Sequence, residues 1–141
     1  MLFNIYLNYY NIRKIIIAKI ELKNNSKITD INNLNYVLKR NGYYWSDIIS
    51  KSNSEEVFIS VHKIKSGSKA PDHVHKNEEI IFVLNGSITL KIKNKITELN
   101  QNQIYNIPAN TTHSIQNESN QTSKVMIIFG TNDPFSNTIY Q

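Results

Sequence analysis

Apolar and polar residues alternate along a series of short segments between residue 57 and residue 130. This is the pattern of strands that bury one face. Turn-forming residues separate the segments at intervals of roughly 8–12 residues, and no helical period runs between them. The predicted strands are 57–62, 79–84, 88–93, 96–99, 103–107, 113–116 and 124–129. The sequence therefore predicts an all-β sandwich or barrel.

The connections between these strands carry recognisable turn residues. Asn85 and Gly86 separate two apolar runs and predict a hairpin, because both residue types tolerate a positive φ. Asn94–Lys95 and the segment 108–110 predict two further turns. If the strands alternate as expected, the barrel interior holds the following aliphatic residues: Ile81, Val83, Leu90, Ile104, Ile115 and Ile127.

Residues 1–26 differ from the rest of the chain and form an Ile-, Tyr- and Asn-rich extension. Ile12, Ile15 and Ile16 fit one helical face, whereas residues 15–22 also fit a strand, and their β-branched side chains favour the strand. We expect this strand-rich extension to pack on the barrel or on a second subunit, with residues 27–141 forming the barrel domain.

Composition narrows the class of protein. The chain has 141 residues, of which 40% are hydrophobic, enough for one domain with an apolar core. Cysteine is absent, which excludes disulfides, thiolate ligands and a Cys nucleophile. The net charge of +5 comes from scattered cations that alternate with apolar residues, so a nucleic-acid partner is not expected. No apolar run approaches the roughly 20 residues of a membrane span, and we expect a cytoplasmic protein without a membrane partner.

Three of the four histidines and one glutamate carry the candidate chemistry. His73 and His75 are two positions apart, which directs both rings to one side of a strand, and Glu79 follows at an even offset. His113 lies on a separate segment, directly after a turn that contains proline. Three imidazoles and one carboxylate that converge would bind a divalent first-row metal ion and leave two positions of an octahedral ion open.

The spacing around these residues resembles the first motif of the cupin superfamily, Gly-x5-His-x-His-x3-Glu-x6-Gly. In this chain it is met by Gly67, His73, His75, Glu79 and Gly86. The second cupin motif is Gly-x5-Pro-x-Gly-x2-His-x3-Asn.

That second spacing is met by Asn102, Pro108, Asn110, His113 and Asn117. Asn102 and Asn110 stand where the family favours glycine. Asparagine is the residue other than glycine that most readily adopts a left-handed backbone, so we expect both turns to be kept.

The resemblance implies a jelly-roll β-barrel with His73, His75, Glu79 and His113 as ligands of one divalent metal ion per chain. Fe(II) is the expected ion, with Mn, Ni, Co and Zn as alternatives. Family members are often homodimers that pair or exchange N-terminal strands, and a homodimer is expected here. Ala70 stands where oxalate-decarboxylase-like members carry an arginine for the substrate carboxylate, which argues against oxalate chemistry.

Two residues outside the motifs are candidates for a catalytic role. His62 could act as a base near the metal, although a half-exposed strand histidine is the favoured interpretation. Tyr43, with Tyr44 and Trp45, could line the barrel mouth and contact substrate, although core filling or a dimer contact is favoured. With aliphatic residues around one metal, we expect few groups that bind phosphate or carboxylate, and a small, partly apolar substrate.

Three functions remain open at this point. The preferred one is a mononuclear metal oxidoreductase of the dioxygenase type that acts on a small molecule. The second is a metal-dependent lyase or isomerase for an oxygenated or sugar-derived metabolite, in which a tyrosine or His62 moves a proton. The third is a non-catalytic protein that binds a metal or metabolite, which a barrel mouth without an acid or base besides the ligands would favour.

Overall fold

A computed structural model describes residues 12–14 and 27–141 of the chain. Of the N-terminal extension, residues 12–14 are helical, and the strand predicted at 15–22 lies outside the described residues. Within the described ranges, no helix has the length and apolar character needed to cross a membrane.

The described part of the chain is built from strands and one short 3₁₀-helix. The strands are β1 (Val37–Arg40), β2 (Tyr43–Ile49), β3 (Phe58–Ile64), β4 (Lys69–Val74), β5 (Glu79–Asn85), β6 (Ser87–Ile92), β7 (Lys95–Asn100), β8 (Ile104–Ile107), β9 (His113–Gln116), β10 (Ser123–Phe129) and β11 (Ile139–Tyr140), and the 3₁₀-helix is Pro134–Asn137. Each of the seven segments predicted as strands between residues 57 and 130 forms one.

The strands form two antiparallel sheets, in the orders β1-β2-β3-β10-β5-β8 and β11-β4-β9-β6-β7. The jelly-roll architecture predicted from the sequence is confirmed. Side chains alternate between the interior and the surface, as in β10, where every second residue from Ser123 to Phe129 is buried. The two inner faces meet in one apolar core.

Five of the six residues predicted for the barrel interior are buried: Ile81, Val83, Leu90, Ile115 and Ile127. The prediction for Ile104 is wrong, because 64% of this residue is exposed. Ile107 occupies the inner face of β8 instead and is 1% exposed. The two residues are an odd number of positions apart, and the period of two in a strand places them on opposite faces.

The hairpin predicted at Asn85–Gly86 is also wrong. Gly86 does have a positive φ of 77°, but β5 and β6 belong to different sheets. β10 and β8 occupy both edges of β5, and β9 and β7 occupy both edges of β6. The turn therefore carries the chain from one sheet to the other. The hairpin that does form joins β6 and β7 through Lys93–Asn94, one residue before the predicted turn, since Ile92 pairs with Lys95.

Two asparagines of the second motif lie in turns, one before β8 and one before β9. Asn102 and Asn110 have φ values of 67° and 59°, which confirms that asparagine keeps the left-handed turns. Asn117 is fully buried, and its Nδ2 donates hydrogen bonds of 2.7 Å to the carbonyl oxygens of Ile64 and Gln121. This side chain fixes the loop that leaves β9.

Candidate metal centre

The fold brings together the four residues that the motif spacing singles out. His73 lies in β4 and His75 just beyond it, Glu79 begins β5, and His113 begins β9. Each offers one ligand atom, and these atoms lie within 4.8 Å of one another. His73 is directly opposite His113 in the β4–β9 pair, whereas Glu79 reaches the cluster from the other sheet. All four side chains are buried.

The outer nitrogen of each imidazole has a hydrogen-bond partner. His73 Nδ1 lies 2.7 Å from the carbonyl oxygen of Pro71, and His113 Nδ1 lies 2.8 Å from that of Thr111. A carbonyl only accepts, so each Nδ1 carries a proton. His75 Nδ1 lies 2.7 Å from Thr138 Oγ1, and that hydroxyl donates to the carbonyl oxygen of Pro134.

This arrangement leaves the Nε2 atoms of the three imidazoles as the ligand atoms. Histidines that bind metals in proteins are held in the same way, with the second nitrogen donating to a carbonyl or another acceptor. Three neutral imidazoles and one carboxylate suit a divalent first-row ion. The residues present therefore fit a metal ion, and the donor set does not distinguish one such metal from another.

The carboxylate is stabilised in its charged form. Glu79 Oε2 accepts hydrogen bonds from His113 Nε2 at 2.9 Å and lies 3.3 Å from His75 Nε2. Desolvation by burial opposes the charge, but the hydrogen bonds from the two histidines outweigh it and lower the pKa of Glu79.

His73 and His113, which are paired between β4 and β9, have pKa values shifted in opposite directions. Desolvation lowers the pKa of His113, but the hydrogen bond and charge of Glu79 overcome it and raise that pKa above its ordinary value. Desolvation, and next the charge of His113, lower the pKa of His73 to about 4. His73 is therefore neutral at pH 7 and offers a free lone pair on Nε2.

Three of the four residues, His73, His75 and Glu79, line a cavity of about 20 Å³. This space holds roughly one water molecule or one ion. The other residues of its wall are Arg40, Tyr43, Trp45, His62, Ala70, Ile115, Ile127, Phe135 and Tyr140. Both residues suggested by the sequence as catalytic candidates, Tyr43 and His62, are in this wall.

His62 is not the half-exposed strand residue that was the favoured interpretation, since it is 3% exposed. Its ring stacks on Trp45 with centroids 4.6 Å apart. Nε2 lies 2.8 Å from Ser60 Oγ, and Nδ1 lies 3.2 Å from the hydroxyl of Tyr43. Desolvation lowers the pKa of His62 to about 3, so the ring is neutral in the folded protein.

The aromatic residues of β2 divide between core and cavity. Tyr43 is 1% exposed, belongs to the apolar core and also lines the cavity, while Trp45 lines the cavity beside His62. Tyr44 points away from it and packs under the ammonium group of Lys65. Burial raises the pKa of the Tyr43 hydroxyl, which therefore stays protonated and serves as a hydrogen-bond donor.

Three wall residues were not identified from the sequence: Arg40, Phe135 and Tyr140. Arg40 ends β1, and the other two lie in the last segment of the chain, far from both motifs. Among the wall residues that the structure describes, Arg40 is the one arginine or lysine, which agrees with the expectation of few groups able to bind a carboxylate. No spacing in the sequence connects these three residues to the candidate ligands. The one local feature near Arg40 is the turn at Gly42, which has a positive φ.

We expect the contact between Thr138 and His75 to affect metal affinity. Thr138→Val keeps the shape of the side chain but removes the acceptor of the Nδ1 proton. Loss of such an outer partner costs roughly 10- to 100-fold in metal affinity. Competition with a chromophoric chelator measures it, and Thr112→Val, at a hydroxyl that does not contact a ligand histidine, is the control. Equal affinities of the two variants would contradict the role assigned to Thr138.

Comparison with known proteins identifies the family. The sequence model described as the cupin domain matches residues 60–129, which include all four candidate ligands. The chain belongs to the cupin superfamily. A curated relative, quercetin 2,3-dioxygenase of Bacillus subtilis (strain 168), is 28% identical over 95 residues, which are 65% of this cupin and 28% of the relative. The chain thus spans little more than a quarter of that protein.

Solved structures show the same fold. The polyketide cyclase RemF from Streptomyces resistomycificus superposes with a TM-score of 0.68 at 16% identity, over 74% of this chain and 79% of its own. The oxalate decarboxylase of Lactobacillus farciminis, in its formate complex, gives 0.67 at 18% identity, over 78% of this chain and 34% of its own. At these identities the likeness concerns the fold alone.

Proposed function

We propose that this cupin is a metal-dependent enzyme that holds one divalent first-row metal ion and acts on a small molecule as a mononuclear oxidoreductase of the dioxygenase type. One observation supports this most: three imidazoles with their outer nitrogens occupied direct Nε2 toward the carboxylate of Glu79 in a buried cluster. The sequence similarity to a quercetin 2,3-dioxygenase supports the reaction type.

A bound metal ion would supply Lewis acidity and open coordination positions for a substrate and dioxygen. The chain's own residues supply the surroundings of the site. Ile115, Ile127 and Phe135 form an apolar part of the wall and exclude bulk water. In the same wall, Tyr43 offers a protonated hydroxyl whose partner is the neutral ring of His62. That pair can orient a substrate oxygen by hydrogen bonding.

A metal-dependent lyase or isomerase is the second candidate, and the same pair of residues favours it. Ser60, His62 and Tyr43 form a buried hydrogen-bonded chain that ends at the cavity wall. A proton can shift along such a chain when the imidazole exchanges tautomers, without any need for dioxygen. Because an acid–base pair lines the cavity, the condition that would have favoured a non-catalytic binder is not met.

Metal content tests the proposal. Protein purified without added metal, and then reconstituted separately with Fe(II), Mn(II), Ni(II), Co(II) and Zn(II), is expected to hold about one ion per chain, as counted by elemental analysis. Fe(II) is the proposed native ion. If none of the five binds stoichiometrically, the proposal fails.

Dependence on oxygen separates the two candidate reactions. Turnover of candidate substrates by the Fe(II)-loaded protein is expected to stop under anaerobic conditions and to consume dioxygen in air, as measured with an oxygen electrode. Turnover that continues without oxygen would favour the lyase or isomerase. The homodimer and the cytoplasmic location stay predictions.

A further inference from the structure

A guanidinium group shares the cavity wall with the candidate metal ligands. Arg40, the last residue of β1, is half-buried and lines the same small space as His73 and Glu79. Its guanidinium carbon lies 5.8 Å from the centre of the Tyr43 ring and 5.3 Å from that of the Tyr140 ring. The Tyr140 ring in turn lies 5.7 Å from the ring of His73. The cation is therefore one aromatic ring away from the ligand cluster.

This cation has no anionic partner in residues 27–141 or 12–14, where the ion pairs of the structure involve other residues. Its Nη2 donates a long hydrogen bond of 3.4 Å to the hydroxyl of Tyr140. A guanidinium group can donate two parallel hydrogen bonds to one carboxylate or phosphate. Arg40 therefore has N–H donors that could bind the carboxylate of a ligand.

We propose that Arg40 binds the carboxylate of the substrate, so that the substrate is a small carboxylic acid that reaches the metal through a neighbouring oxygen. This rests on the proposed function, because the second attachment point is the metal. Ala70, in β4, lines the same cavity and contributes no charge to it. Oxalate-decarboxylase-like members carry the positive charge at the position of Ala70, whereas in this chain Arg40 at the end of β1 supplies it.

Tyr140 occupies the position that the carboxylate would take. The cavity of about 20 Å³ is too small for any organic acid, so part of its wall must move. Tyr140 is 50% exposed and belongs to the two-residue strand β11 at the edge of its sheet. Displacing its hydroxyl breaks few contacts and opens the guanidinium to a ligand.

Two probes of nearly equal shape test the charge preference. Pyruvate carries a carboxylate beside a ketone, and pyruvamide replaces that carboxylate by a neutral carboxamide group. Calorimetric titration of the Co(II)-loaded protein is expected to show tighter binding of pyruvate. Arg40→Gln is expected to weaken pyruvate binding about tenfold to hundredfold and to leave pyruvamide binding unchanged, since hydrogen bonds to charged groups have that strength.

Lys39→Gln is the matched control, because it removes the same charge from the adjacent residue of β1, whose side chain is exposed and lies outside the cavity wall. It is expected to bind pyruvate like the wild type. Tyr140→Ala is expected to tighten pyruvate binding. Equal pyruvate affinity in Arg40→Gln and the wild type, or no preference of the wild type for pyruvate over pyruvamide, would overturn the proposal.

Metal loading is read first and separately, from the visible absorption of Co(II). A protein that takes up no Co(II) contradicts the proposed function, and the same probes are then titrated into the metal-free protein. There the preference for pyruvate is still expected to depend on Arg40, and its absence would overturn the inference about Arg40 as well.

Discussion

Replacing His113 by alanine is expected to abolish stoichiometric metal binding and catalytic turnover together. His113 offers one of the four candidate ligand atoms, and its Nε2 lies 2.9 Å from Glu79 Oε2. Removing a direct ligand should cost more metal affinity than the roughly 10- to 100-fold lost with an outer partner. Elemental analysis after dialysis and an activity assay on the same sample measure both effects.

The chain offers a matched control for this substitution, because His62 is a buried histidine outside the ligand set. His62→Gln is expected to retain about one metal ion per chain. The fold of His113→Ala is checked by circular dichroism, and Glu79 keeps its contact with His75 in this variant. A His113→Ala protein that is folded and still binds one ion with wild-type affinity would refute the ligand assignment.

Acid is expected to destabilise the metal-free protein through His62. The pKa of this ring is about 3 in the folded protein and 6.5 in the unfolded chain, so between these values only the unfolded chain binds the proton. The contribution of His62 to the free energy of unfolding is therefore fully present above pH 6.5 and is lost as the pH falls through 3. With about 1.4 kcal/mol per pKa unit, the loss over that window is about 5 kcal/mol, of which about 2 kcal/mol is lost by pH 5.

Denaturant unfolding between pH 7 and pH 4.5 measures this effect in the metal-free wild type and in His62→Gln. The variant is expected to lose less stability per pH unit, whatever its stability at pH 7. Trp45 is the single tryptophan and stacks on His62, so its fluorescence reports the protonation of the ring. A fluorescence transition near pH 6.5 in the folded wild type, or equal pH dependence of the two proteins, would contradict a neutral buried His62.

The strands and the ligand cluster could be predicted because their signals are local. Alternation with a period of two marks the buried face of a strand such as β10 within a few residues. The ligands are defined by spacing within two short motifs, and the asparagines at 102 and 110 keep the backbone that those motifs require. Both kinds of signal lie within windows of about twenty residues.

The errors concern contacts between distant segments. Gly86 has the positive φ of a tight turn, as the sequence predicted. The turn alone does not determine which strands pair, and both strands that pair with β5, β10 and β8, come from later in the chain. Arg40 and Tyr140 are 100 positions apart and meet at the cavity wall. Such a contact depends on the closure of the whole barrel, which no local pattern of residues specifies.

The origin of the four ligands has a consequence for how the protein would acquire its ion. Glu79 comes from the six-stranded sheet, whereas His73 and His113 come from the five-stranded sheet. The ion would link two sheets that otherwise pack against each other through an apolar core of aliphatic and aromatic side chains. Because a half-formed barrel cannot present the whole set of donors, metal binding is expected to follow the packing of the two sheets.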